Sequence, residues 1–239
     1  QFGPEELWDW GQQLFMQGES IAIRRFNDAT SPSAAISILF KLTRRQVIDF
    51  GRNEEAVSLW EGLALDKRDW LWSQKGDFWK YLGLVFEAYA RSDNMPVAES
   101  FARSFLDDPA SPPENLPPLG ISLARFLMTD GKVIDSINLY ERMARIAPSH
   151  PLCAEAWYWL ALAAYKQGDT QKTNTYATNI RVSQCAQAGT LDQWDWDARA
   201  FLLLANLDPA AIDYQAVNYT FDFLQKQIHL ITCDLKRLA

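Results

Sequence analysis

Ala154–Ile180, AEAWYWLALAAYKQGDTQKTNTYATNI, is the stretch from which the fold can be read. Trp157, Leu160 and Ala161 recur three and four apart, the spacing of one helix face. Gly168-Asp169 then breaks the pattern: glycine releases the backbone from helical geometry, and aspartate can cap the next helix. A second helix follows with Thr173, Ala177 and Ile180 on one face. The small Ala161 lets the two helices approach, and the large residues around it fill the groove between them.

The spacing W-x2-L-[G/A] followed by a glycine turn resembles the tetratricopeptide repeat, a helix-turn-helix of about 34 residues. Four other segments follow the same logic. Trp79, Leu82, Gly83 and Phe86 precede a second helix carrying Ala98 and Ala102, across a longer turn at Arg91–Met95. Leu123, Ala124 and Leu127 precede Gly131, then Ile137, Tyr140, Met143 and a helix-ending Pro148. Trp10, Gly11 and Leu14 precede Gly18, then Ala22, Phe26 and Ala29. Phe40, Thr43 and Val47 precede Gly51, then Ala56 and Trp60, with Arg44 where a small residue is expected, so that pair should be loosened or re-angled.

The register predicts repeats near 4–36, 37–70, 76–109, 117–150 and 154–187, with a degenerate cap over 190–239 read as helices Trp194–Leu207 and Asp213–Leu235. Extra residues in Asp66–Lys75 and in the proline-rich Asp107–Pro118 read as lengthened connections. Alternating strand patterns are absent, and most glycines and prolines fall between periodic stretches. The expected fold is therefore all-α. The resemblance makes it one right-handed superhelical solenoid of about five repeats spanning 1–239.

Composition narrows the function. The 239 residues are 48% hydrophobic and include ten tryptophans, enough for one substantial core or a series of small ones. A formal charge of -7 disfavours nucleic acid as a partner, and with it an RNA-binding helical repeat. Cys153, Cys185 and Cys233 are too scattered for a disulfide framework, which favours a reduced, cytoplasmic setting; a processed exported protein stays open, since the chain begins at Gln1. The longest nearly unbroken apolar run, Ala156–Tyr165, is about half of the roughly 20 residues a membrane span needs.

Catalytic and metal chemistry have little material. The only histidines are His150 and His229; Pro151 separates His150 from Cys153, with no further Cys or His pair to complete a zinc site. Asp192, Asp195 and Asp197 lack the glycine turn and closing glutamate of a calcium loop and read as a solvated helix start. Asn218-Tyr219-Thr220 is formally a glycosylation sequon, yet falls inside a predicted amphipathic helix. No phosphate loop or nucleophile elbow occurs, so neither an enzymatic activity nor a cofactor is expected.

The resemblance implies that Trp10, Trp79 and Trp157 take the family's core position between paired helices. In the family, first helices line a concave groove, and residues facing away from the pair project into it. That assigns Lys80, Tyr81 and Leu84, Ser122 and Arg125, and Tyr158, Trp159, Leu162 and Lys166 to ligand binding. The carboxylate clamp of one family subgroup is not reproduced: Leu84 stands where its asparagine belongs, and Ser122 and Trp159 replace other polar members. The expected function is a protein-interaction scaffold or adaptor taking an apolar, helical or extended peptide. The alternative is a regulatory or substrate-recruiting arm of a larger enzyme. Phe221, Phe223, Leu224, Ile228 and Leu230 also suggest self-association through the C-terminal helix.

Overall fold

A computed structural model describes residues 4–74, 76–92, 94–182, 191–211 and 219–238. Among these residues there is no strand, and the protein is all-helical: α1 (Pro4–Asn27), α2 (Pro32–Arg44), α3 (Asn53–Glu61), α4 (Leu65–Trp72), α5 (Gly76–Arg91), α6 (Met95–Leu106), α7 (Pro117–Thr129), α8 (Val133–Ile146), α9 (Cys153–Lys166), α10 (Thr170–Val182), α11 (Leu191–Leu207) and α12 (Phe221–Arg237). The chain divides into two compact units, Gln1–Arg103 and Ser104–Ala239. No helix of the described residues is long and apolar enough to cross a membrane.

The N-terminal unit packs α1 on α2, and α2 and α3 on α5. Its core is aromatic: Trp60 lies against Phe78, Tyr81 and Phe101, with ring centroids 5.6 to 6.3 Å apart, and Trp72 lies 5.6 Å from Trp79. Trp79 is buried, as its core assignment requires. Gly51 takes a φ of +64° between α2 and α3, where an L side chain would be strained.

Two expectations change in this unit. Gly18 does not break the chain: α1 runs through it as one helix of 24 residues, because a single mid-helix glycine costs only about 1 kcal/mol relative to alanine. Asp66–Lys75 is not a simple connection, since α4 occupies most of it and buries Leu71. Beyond Arg44 the helix widens into a π-helical turn, Arg45–Asp49, which leaves Arg44 and Arg45 in solvent while Gln46 and Val47 are buried. The Trp10 side chain lies outside the described residues.

In the C-terminal unit α7 packs on α8, α8 on α9, and α9 on α10, so consecutive helices are neighbours. Gly131 and Gly168, at φ +78° and +75°, make the turns inside the pairs α7/α8 and α9/α10. Asp169 accepts from the Lys172 backbone N–H at 3.0 Å; that bond holds its carboxyl below the usual range and caps α10. Ala161, Thr173 and Ala177 are fully buried between α9 and α10, as their spacing on facing helix sides predicts. Across α7 and α8, buried Ser136 donates to the Ala124 carbonyl at 2.7 Å, and Gly120 fits against Met143 where a Cβ would stand 2.2 Å from Sδ.

Residues 194–207 are helical as expected, within α11. Residues 213–218 of the second predicted helix lie outside the described residues, and Thr220 is an N-cap, its Oγ1 accepting from the Phe223 N–H at 3.3 Å. Thr220 of the sequon therefore precedes α12, and Asn218 lies outside the described residues. On α12, Phe221 and Ile228 are exposed while Phe223, Leu224 and Leu230 are half-buried.

Candidate functional site

The site forms because α9 is enclosed on both sides. Besides α10, it meets α7, α8, α11 and α12. Along it, an open cleft of about 690 Å³ is lined by residues of α7, α8, α9, α11 and α12 together with Pro151 and Leu152. Trp159 forms an aromatic wall, stacked on Tyr140 with centroids 6.3 Å apart and planes 15° apart.

Two buried carboxylates organise the polar lining. Glu155 of α9 is held by Arg125 of α7, whose Nε donates to Oε1 and Oε2 at 2.8 and 2.9 Å and whose Nη2 donates to Oε2. The Tyr140 hydroxyl of α8 donates to Glu155 Oε1 at 2.9 Å. This forked geometry matches a guanidinium to a carboxylate and ties three helices together.

Asp234 of α12 is the second hub. Tyr158 of α9 donates to its Oδ2 at 2.8 Å, Arg199 of α11 approaches the same oxygen at 3.5 Å, and Arg237 reaches Oδ1 at 3.5 Å. Arg199 also donates from Nε to Gln227 Oε1 at 2.9 Å, and Gln227 Nε2 donates to Asp195 Oδ1 at 2.8 Å. The Arg199 guanidinium lies 4.7 Å from the Trp196 ring centroid and 5.1 Å from that of Tyr158. Burial first, then the neighbouring carboxylate charge, pushes both Tyr140 and Tyr158 far above the usual phenol range, so both stay protonated donors.

The enclosure of α9 corrects the expected groove set. Tyr158 and Leu162 are fully buried and Trp159 is 6% exposed, because α8, α11 and α12 cover the side of α9 that α10 leaves bare. Trp157, expected in the core, is half-buried instead; it stacks on Tyr176 at 5.7 Å and donates Nε1 to the Pro148 carbonyl at 3.4 Å. Lys166 is exposed and donates to the Leu238 carbonyl at 2.7 Å, closing the C-terminal end of α12. Ser122 is half-buried, and Arg125 and Trp159 are the two expected residues that meet in the cleft.

In the N-terminal unit, Tyr81 is likewise fully buried, against Trp60 and Phe78, and so is corrected from groove to core. Leu84 is half-buried. Lys80 is exposed and pairs with Asp77 at 3.0 Å, a contact worth little in solvent.

Glu155, Trp196, Arg199, Gln227 and Asp234 escaped the sequence reading. One signal was available: Gln227 and Asp234 stand seven residues apart on an amphipathic helix, hence on one face, and that face is the buried one. Asp195 and Asp197 are also not simply solvated. They are half-buried, and Asp197 accepts from Arg181 Nε at 3.0 Å and from the Tyr219 hydroxyl. Cys153 is buried with its thiol toward the Met143 carbonyl, while His150 Nδ1 accepts from the Leu152 N–H. No cluster of three or more metal-ligating side chains occurs among the described residues. Comparison with protein-family models, curated proteins and solved structures returns no match for this chain.

Proposed function

We propose that α7/α8 and α9/α10 are tetratricopeptide-like pairs of a superhelical stack capped by α11 and α12, and that the protein is an interaction scaffold. Its cleft takes a peptide or a helical segment of a partner protein. One observation carries this reading: the α9 face already holds a helix, α12, through side-chain and carbonyl contacts at Tyr158 and Lys166. A surface that seats one helix by hydrogen bonds from fixed aromatic and basic groups is suited to seat another along its open side. Beside α12 the lining combines Trp159, Met128 and Leu152 with Arg125 and Arg237, an apolar floor beside arginines paired with Glu155 and Asp234. Aromatic and arginine anchors of this kind dominate binding energy at protein interfaces.

The test uses rim residues that the fold does not need. Leu152 and Thr129 are both exposed and line the cleft, so Leu152→Glu with Thr129→Glu should leave helicity and melting close to wild type. A protein captured by the wild-type chain, identified by mass spectrometry and then bound by isothermal titration, should lose its affinity for the double variant. Equal binding by both chains would remove the cleft from the interaction.

A further inference from the structure

Polar side chains seat α12. Its fully buried residues are Gln227 and Asp234, whereas none of its apolar residues is fully buried. The two stand seven positions apart, on one face and about two turns from each other. Arg199 of α11 serves both, donating from Nε to Gln227 Oε1 at 2.9 Å and pairing with Asp234 Oδ2 at 3.5 Å. Each position has its own chemistry. At 227 one side chain accepts from Arg199 and also donates to Asp195 Oδ1 at 2.8 Å, which an amide does and a carboxylate facing Asp195 does not. At 234 the side chain accepts from the Tyr158 hydroxyl at 2.8 Å and meets the Arg199 charge, which suits a carboxylate. The seat has supports of its own: Arg199 lies against the Trp196 and Tyr158 rings, and Tyr158 against Trp159 and Trp196.

We propose, resting on the reading of this cleft as a helix-binding surface, that α12 is a resident substitute for a partner's helix. The seat on α9 and α11 takes an amphipathic helix that carries an amide residue and, seven positions later, a carboxylate; α12 fills it until such a helix displaces it. Burial of apolar surface is what holds a docked helix in place, at roughly 25 cal/mol per Å², and α12 puts polar groups where burial is deepest. Their hydrogen bonds contribute little net stability, because a second helix with the same groups replaces them bond for bond. A helix without the carboxylate is rejected: it would leave Arg199, only 12% exposed by side chain, and the buried Tyr158 hydroxyl without their acceptor. Access comes from the open cleft, which Trp196 and Arg199 of the seat line together with Leu230 and Asp234 of α12.

Hydrogen exchange on the whole wild-type chain should show α12 opening ahead of α7 to α10. A fluorescently labelled synthetic peptide of residues 219–238 then probes the seat from outside. It should bind an Asp234→Asn chain about tenfold more tightly than wild type, because the weakened α12 competes less, with exchange in α7 and α8 unchanged. Peptides carrying Asp234→Asn or Gln227→Glu should bind that same chain about tenfold more weakly than the unaltered peptide. Protection of α12 equal to that of α9, no binding of the peptide to either chain, or equal binding of all three peptides would overturn the proposal. So would a captured partner whose affinity ignores Asp234→Asn and is lost with Leu152→Glu and Thr129→Glu, a result that leaves the cleft as the binding site and removes only the displacement of α12.

Discussion

Tyr158 and Asp234, 76 positions apart, share a 2.8 Å hydrogen bond between two buried side chains, and this bond fastens α12 to α9. Replacing Tyr158 by phenylalanine keeps the ring and removes the donor, so the Asp234 carboxylate stays buried with only longer arginine contacts. A loss of about 1–3 kcal/mol is expected in urea unfolding. Hydrogen exchange should rise in α12 more than in α7 or α8; a uniform rise would mean that α12 does not open as its own segment.

Trp159 and Trp157 should respond in inverse order to their expected roles. Trp159→Ala removes a buried ring stacked on Tyr140, and a loss of about 3–5 kcal/mol is expected. Trp157→Ala, at a half-buried site, should cost clearly less. A Tyr158→Ala/Trp159→Ala chain should therefore lose fold stability before any binding defect can be read, and thermal melting checks this directly.

Arg125 is 51% exposed by side chain while its partner Glu155 is 6% exposed, so the pair is asymmetric. Arg125→Ala leaves a buried carboxylate with Tyr140 as its remaining donor and should cost up to about 3 kcal/mol. Arg125→Lys should recover only part of this, because an ammonium cannot reproduce the fork. Chemical denaturation of both variants tests the order; full recovery by lysine would show that charge alone matters.

Alkali should unfold the protein as its buried phenols ionise. Tyr81, Tyr89, Tyr140, Tyr158 and Tyr219 are all raised, mainly by burial, and in the last four also by a carboxylate neighbour. A raised folded value favours the protonated form in the native state. Stability from these groups is therefore fully present below the unfolded tyrosine value of about 10 and is lost as pH climbs above it. Tyrosinate absorbance should show one early group of tyrosines and a second that ionises together with the loss of helicity. A single smooth titration with helicity intact would contradict the burial.

Gly120→Ala tests the α7/α8 contact. The new methyl would stand 2.2 Å from Met143 Sδ and 2.8 Å from its Cγ, and Met143 is itself fully buried. A loss of about 1–3 kcal/mol is expected from overpacking, with Met143→Ala in the same chain giving partial relief. Melting temperatures of the two single variants and the double variant measure the coupling.

Local pattern was enough to read the helices and several turns. Gly51, Gly131 and Gly168 all take positive φ at predicted turns, because a periodic face followed by glycine is a signal carried by neighbouring residues. Gly18 shows where that signal fails: the same residue inside a long helix is merely tolerated, and the surrounding residues keep the chain helical.

Composition and periodicity determined that the protein is helical, where most helices lie, and which residues fill α9/α10, since Ala161, Thr173 and Ala177 needed only their own pair. The site was decided by tertiary structure alone. Whether Tyr158 and Trp159 face solvent depends on α8, α11 and α12 folding over α9, which brings Asp234 to Tyr158 from 76 residues away. Burial at that face is a property of the covering helices rather than of α9, so no reading of α9 by itself could distinguish a groove from a core.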